Sequence, residues 1–185
     1  MFYLSQHDPA YKNLKLGKSK LSVSGFGCFA CSLGTLFQKT LAEIMAIPGG
    51  ITDDGLVVSG VIAKACGGST LPNPPGSPSP GWCSAMTNKY APQGFPTHFF
   101  CVNTKEKLQI DPLDFPAQIE PLTYPIVELR TFTGVKLVTA QTWQEEAQQF
   151  ATENGIISDW SKPNEPMTQV RVAAALKNYH DRFNS

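Results

Sequence analysis

The chain has 185 residues, with 15 Lys and Arg against 15 Asp and Glu, so its formal net charge is zero. That balance argues against a large nucleic-acid or anionic-membrane surface. The length suits one domain with a sizeable core, or a domain of about 130 residues plus a small appendage. No basic start leads into an apolar run and no stretch approaches about 18 apolar residues, so neither a conventional secretory signal nor a membrane span is expected. Work outside the producing cell would need another route of delivery.

Phe2-Tyr3-Leu4 reads as an extended opening that Gln6-His7-Asp8-Pro9 turns. Lys12, Lys15, Lys18 and Lys20 then crowd together, as a solvated loop or as a face for an anionic wall polymer. Leu21-Ser22-Val23-Ser24 alternates like a short strand or lead-in and meets the turn residues Gly25 and Gly27. From Cys28 to Ala46, the apolar residues Phe29, Leu33, Leu36, Phe37, Leu41, Ile44 and Met45 fall at helical spacing, which predicts one buried helix stopped by Pro48-Gly49-Gly50. Thr52-Asp53-Asp54 offers a cap for a second helix, Leu56 to Ala65, closed by Gly67-Gly68, although Val57-Val58 also suits a strand.

Between Leu71 and Trp82, repeated prolines predict a stiff surface loop. Trp82, following it, is a candidate for the rim of a substrate cleft. Gly94 to Val102 reads as a buried strand, Asn103 to Glu106 as a hairpin turn, and Lys107 to Asp111 as the return strand ended by Pro112. Phe99 and Phe100 would point to opposite faces, one of them into the core. Ile126 to Arg130 and Val135 to Thr139 are further strand candidates. Helices first and an antiparallel sheet second predict an α+β domain over 1–140. The tail, 141–185, predicts a small helical unit: one helix from Thr142-Trp143-Gln144-Glu145 to Asn154-Gly155, and a last one from about Thr168 through Tyr179.

Cys28 opens the first long helix, where unpaired N–H groups and the positive end of the backbone dipole favour a thiolate. His98 begins one strand of the hairpin and Asp111 ends the other. Neighbouring ends of antiparallel strands bring the two together, in the order nucleophile, base and base-orienting carboxylate. The backbone N–H of Cys28 would point at a developing oxyanion.

Ser5-Gln6-His7-Asp8-Pro9, Leu16-Gly17, Gly25-Phe26-Gly27-Cys28, Thr97-His98-Phe99 and Ile110-Asp111-Pro112 resemble the peptidase C39-like family of papain-like cysteine peptidases over roughly residues 1 to 115. The resemblance implies a papain-like fold and a Cys28, His98, Asp111 triad, with Gln6 or a nearby group polarising the oxyanion. Many papain-like enzymes carry a glutamine six residues before the cysteine, where Ser22 stands here. Phe29 takes the place of a small residue after the cysteine and would narrow the substrate cleft. The tail, with Asn154-Gly155-Ile156-Ile157 and Pro163 to Thr168, looks like a C-terminal unit of phage lysis proteins. Together these imply a hydrolase without cofactor or metal that acts on protein or on peptidoglycan peptides. The implied setting is a bacteriophage virion, with other virion proteins as partners, or a host cytoplasm facing the wall.

Three other readings stay open at this level. Cys28-Phe29-Ala30-Cys31 fits a thiol-disulfide exchange motif, and Cys28, Cys31, Cys66, Cys83 and His98 could share zinc, though no second close-spaced pair exists. The scaffold could also be an inactive structural or binding module of a phage particle. Five cysteines, at 28, 31, 66, 83 and 101, make reduced thiols the expectation and leave a pair among the last four open.

Overall fold

The computed structural model describes residues 2–72, 81–94 and 97–137. The middle of the proline-rich loop and the whole tail, with the helices expected there, lie outside the described residues. The chain divides after Leu137, and every described element belongs to the unit from Met1 to Leu137.

Ser22 ends the extended lead-in. Its hydroxyl accepts the Gly25 N–H and so caps a single turn, α1 (Val23–Phe26), where the alternating pattern predicts a short strand or lead-in; of Leu21 to Ser24, Ser22 alone pairs in a bridge, with Lys15. Gly27 joins α1 to α2 (Cys28–Phe37), in which every residue after Cys28 is buried. A Cβ at Gly27 would stand 2.5 Å from the Val23 carbonyl oxygen and 2.7 Å from Val23 Cγ1. Gly27→Ala is therefore expected to cost about 1–3 kcal/mol by overpacking. Urea unfolding measures it, and an unchanged midpoint would mean that the α1–α2 junction yields freely.

The single helix expected through Ala46 is two. Gln38 turns left-handed (φ 52°), its N–H closing on the Gly34 and Thr35 carbonyls. Thr40 and Glu43 then form a reciprocal capping box that starts α3 (Leu41–Met45). The apolar spacing runs through the break because Leu36, Phe37, Leu41 and Ile44 all enter one core. The next helix, α4 (Ser59–Ala65), also begins later than expected. Thr52 Oγ1 accepts the Leu56 N–H in a local turn, and Val57 pairs with Ile51 in a bridge, so β-branched residues take extended backbone up to Val58.

Six antiparallel strands form one sheet in the order β1 (Thr70–Leu71), β6 (Glu128–Phe132), β2 (Trp82–Thr87), β3 (His98–Asn103), β4 (Leu108–Ile110) and β5 (Glu120–Pro121). The fold of the described unit is thus α+β. Strands β3 and β4 form the expected hairpin, in register Cys101 to Ile110 and Asn103 to Leu108. Central strand β2 has no counterpart among the sequence-based expectations. It pairs with β3 along its whole length and with β6 on its other side. Alternate side chains enter two cores: Trp82 and Cys101 pack with α2, while Cys83, Ala85, Phe100 and Val102 pack with Tyr124 on the other face. Val135 to Leu137 form no strand, because the N–H groups of Lys136 and Leu137 both donate to the Leu36 carbonyl near the end of α2; Val138 and Thr139 lie outside the described residues.

Candidate active site

The open end of α2 and the start of β3 meet the chain that leaves β4. His98 is the first residue of β3, and Asp111 follows directly on the last residue of β4. His98 Nε2 lies 2.7 Å from Asp111 Oδ1, with the two side chains 4% and 0% exposed. The Cys28 thiol, on the first turn of α2, is the imidazole's neighbour on the other side, and the two line one cleft. With Nε2 committed to the carboxylate, Nδ1 is the nitrogen left for sulfur. Cys28 is half-buried, and its side of the imidazole opens into a cleft of about 270 Å³ lined by Gln6, Gly25, Cys28, Tyr90, His98 and Leu113.

Electrostatics hold His98 and Asp111 charged. Burial opposes charge on His98, but the hydrogen bond to the Asp111 carboxylate and the neighbouring Cys28 sulfur outweigh it and push the imidazole from 6.5 up to about 9. Burial likewise opposes charge on Asp111, yet the bonds from His98, Tyr124 and the Leu113 N–H hold its carboxyl below the usual 3.8. Because His98 gains proton affinity on folding, its contribution to stability is complete below about pH 6.5 and disappears as pH rises through about 9. Asp111 contributes above the ordinary carboxylate range, and that contribution is lost as pH falls through its lowered value. Urea unfolding across this range should therefore give a stability plateau between roughly pH 4 and 6.5 from this pair, falling on both sides. In the His98→Ala variant the alkaline fall between 6.5 and 9 should flatten.

Gln6 reaches the cleft from the N-terminal segment, which is tied to the residues after Asp111. The Gln6 N–H (2.8 Å) and Ser5 Oγ (3.0 Å) both donate to the Pro112 carbonyl, and His7 Nδ1 lies 2.8 Å from the Leu113 carbonyl. The buried Gln6 amide is aimed by its Nε2 donating to the Ser24 carbonyl at 2.8 Å, which leaves a second amide N–H. Gly27 supplies no side-chain cap to the first N–H groups of α2, so these too stay available beside Cys28. Ser22, six residues before Cys28, is spent on capping α1.

Two expected cleft residues are elsewhere. Trp82, expected at the rim, is 5% exposed and sits in the core at the end of β2 that pairs with Asn103; His98 pairs with Thr87 at the opposite end. Its indole is core volume that begins a central strand. Phe29 does not line the cleft either: its ring stacks on Phe99 (centroids 4.2 Å apart), with the Arg130 guanidinium about 5.0 Å above it. This packing pins the first turn of α2 to the sheet and so holds Cys28 in place. Of the neighbouring aromatics, Phe100 is fully buried and Phe99 partly so.

All five cysteines are free. Cys31 is buried beneath Cys28's helix turn, and burial pushes its thiol far above the ordinary range, which leaves the Cys28–Cys31 motif without an accessible second thiolate. Among the described residues, no three His, Cys, Asp or Glu side chains gather as a metal site, so Cys28, Cys31, Cys66, Cys83 and His98 do not share one. No described helix is long and apolar enough to cross a membrane.

Two residues of the site carry no signal in the sequence. Tyr90, from the loop after β2, and Tyr124, between β5 and β6, both bring their hydroxyls to Asp111 Oδ2, Tyr90 at 3.2 Å and Tyr124 closer. The hydroxyls lie 2.8 Å from each other. Neither belongs to a motif, and only the closed sheet brings them to the carboxylate. Compared with protein-family models, with curated proteins and with solved structures, the chain finds no match.

Proposed function

We propose that this domain is a cysteine hydrolase of papain-like, C39-like type that cleaves amide bonds through an acyl-enzyme on Cys28. The observation that carries the reading is the buried His98–Asp111 pair at 2.7 Å with the Cys28 thiol beside the imidazole, sulfur and ring lining one open cleft. Cys28 Sγ attacks the carbonyl carbon while its proton is held by His98, and the Asp111 carboxylate keeps the ring oriented and balances its charge. The oxyanion faces the uncapped N–H groups of α2 and the Gln6 amide, donors typically worth about 3 kcal/mol each. His98 then gives its proton to the nitrogen as the C–N bond breaks. Water, deprotonated by the same imidazole, splits the thioester and restores the thiol.

The substrate is a peptide, of protein or of the peptidoglycan stem or cross-bridge. The likeness of the tail to phage lysis proteins favours the wall, in a bacteriophage setting. A second hollow of about 440 Å³, walled by Asp8, Pro9 and Lys12, shares Gln6, His7 and Ser24 with the cleft and gives an extended substrate room beyond the scissile bond. The test is incubation of the full chain with purified sacculi and with an unfolded protein, each beside Cys28→Ala. Soluble peptide fragments from sacculi alone are expected, fragments from the protein alone would move the substrate class, and release from neither would overturn the hydrolase reading.

A further inference from the structure

The proton inventory around Asp111 singles out a residue beyond Cys28, His98 and Asp111 themselves. Oδ1 of the carboxylate accepts from His98 Nε2 and from the Leu113 N–H at 2.8 Å. Oδ2 faces two phenol groups that also touch each other, and each phenol has one proton to give. The closer oxygen, Tyr124, donates to the carboxylate. Tyr90, which donates to Oδ2 from 3.2 Å, lies nearer the Tyr124 oxygen, at 2.8 Å. The result is a line of phenols behind the imidazole, Tyr124 against the carboxylate and Tyr90 against Tyr124.

We infer that Tyr124, held in turn by Tyr90, is the positioning residue of this site: its hydroxyl fixes the Asp111 carboxylate against His98 and draws off part of its charge. The inference rests on the hydrolase reading for its consequence in turnover but not for its geometry. Tyr124 is buried against Phe100 (centroids 5.2 Å), so its ring cannot swing away, and the Lys89 ammonium sits 3.7 Å from its ring centroid. Tyr90 stands edge-on to His98 (5.3 Å, 85°) and also lines the cleft, so the outer end of the line is a surface that bound substrate meets. The other charged or titratable groups around the imidazole are Cys28 from α2, Asp114 from the segment after β4, Lys89 beside Tyr90, and His7 across the cleft. None of these occupies Asp111 Oδ2.

A donor that stabilises the charged carboxylate lowers its basicity, so removing one makes Asp111 hold the imidazolium more strongly. Tyr124→Phe keeps the ring and removes only the hydroxyl. Imidazole nitrogen NMR of His98 in the Cys28→Ala background isolates the effect from the thiol. The titration midpoint should rise by about half a pH unit in Tyr124→Phe, roughly threefold in proton affinity, and by less in Tyr90→Phe. With Cys28 present, kcat should fall several-fold in Tyr124→Phe at unchanged KM, and the alkaline limb of the rate profile should move the same way as the titration. An unmoved or lowered midpoint overturns the inference, since a role in packing alone leaves the titration where it is. If Tyr124→Phe does not fold, the smaller upward shift in Tyr90→Phe decides. Because the titration is read without turnover, lack of hydrolysis by the unaltered chain would sink the hydrolase reading and leave this result standing.

Discussion

Cys28→Ala is expected to bring amide hydrolysis to background, a loss on the order of 10⁴-fold or more in kcat/KM, and His98→Ala is expected to lose nearly as much. In the proposed mechanism the sulfur and the neighbouring imidazole act as one unit, so the double variant should be scarcely worse than either single one. Such non-additivity is the informative part. Two side chains that supported the fold independently would add their losses. Initial rates on a released peptide, together with the rate of iodoacetamide labelling of Cys28, measure both. Labelling that is unaffected by His98→Ala would mean that the imidazole does not act on the sulfur.

The second large effect concerns Asp111. Asp111→Ala leaves the buried His98 Nε2 and two phenol groups facing a void, and breaking such a buried pair costs about 3–5 kcal/mol. Loss of most activity, on the order of 10⁴-fold, should accompany it. Asp111→Asn separates charge from orientation: an amide oxygen can still accept from Nε2, and the amide nitrogen can turn to the Tyr90 and Tyr124 oxygens. With the negative charge gone, the His98 value should fall from about 9 toward the ordinary imidazole range, and the alkaline limb of kcat/KM should fall with it. The sign is fixed, because a base that loses its anion lets go of its proton at lower pH. An alkaline limb that stays near 9 in Asp111→Asn would show that the carboxylate charge does not set it.

The parts of the site legible in the sequence are those fixed by local rules. The turn residues after Asn103 set the β3–β4 hairpin, and that hairpin alone brings the start of one strand, His98, beside the end of the next, Asp111. The glycines before Cys28 and the apolar run after it mark the start of a buried helix. Strand β2 escapes because Trp82-Cys83-Ser84-Ala85-Met86-Thr87 is buried on both faces and shows no alternation, and most of its residues lack β-branching or aromatic rings. Trp82, judged by the loop before it, is thereby expected at a rim. The break after Phe37 does leave a trace, the Thr40 to Glu43 spacing of a capping box, which the continuing apolar period masks. Tyr90 and Tyr124 leave none, since what defines them is a partner across the closed sheet.

The bonds from Ser5, Gln6 and His7 to Pro112 and Leu113 join positions up to 107 apart in the chain. Bonds of such sequence separation can close only once both of their ends are present. A nascent chain with Cys28 and His98 already outside the ribosome still lacks the carbonyl partners of Ser5, of the Gln6 N–H and of His7 until Pro112 and Leu113 emerge. The wall of the cleft that Gln6, His7 and Leu113 share is thereby completed only once the chain has reached Leu113.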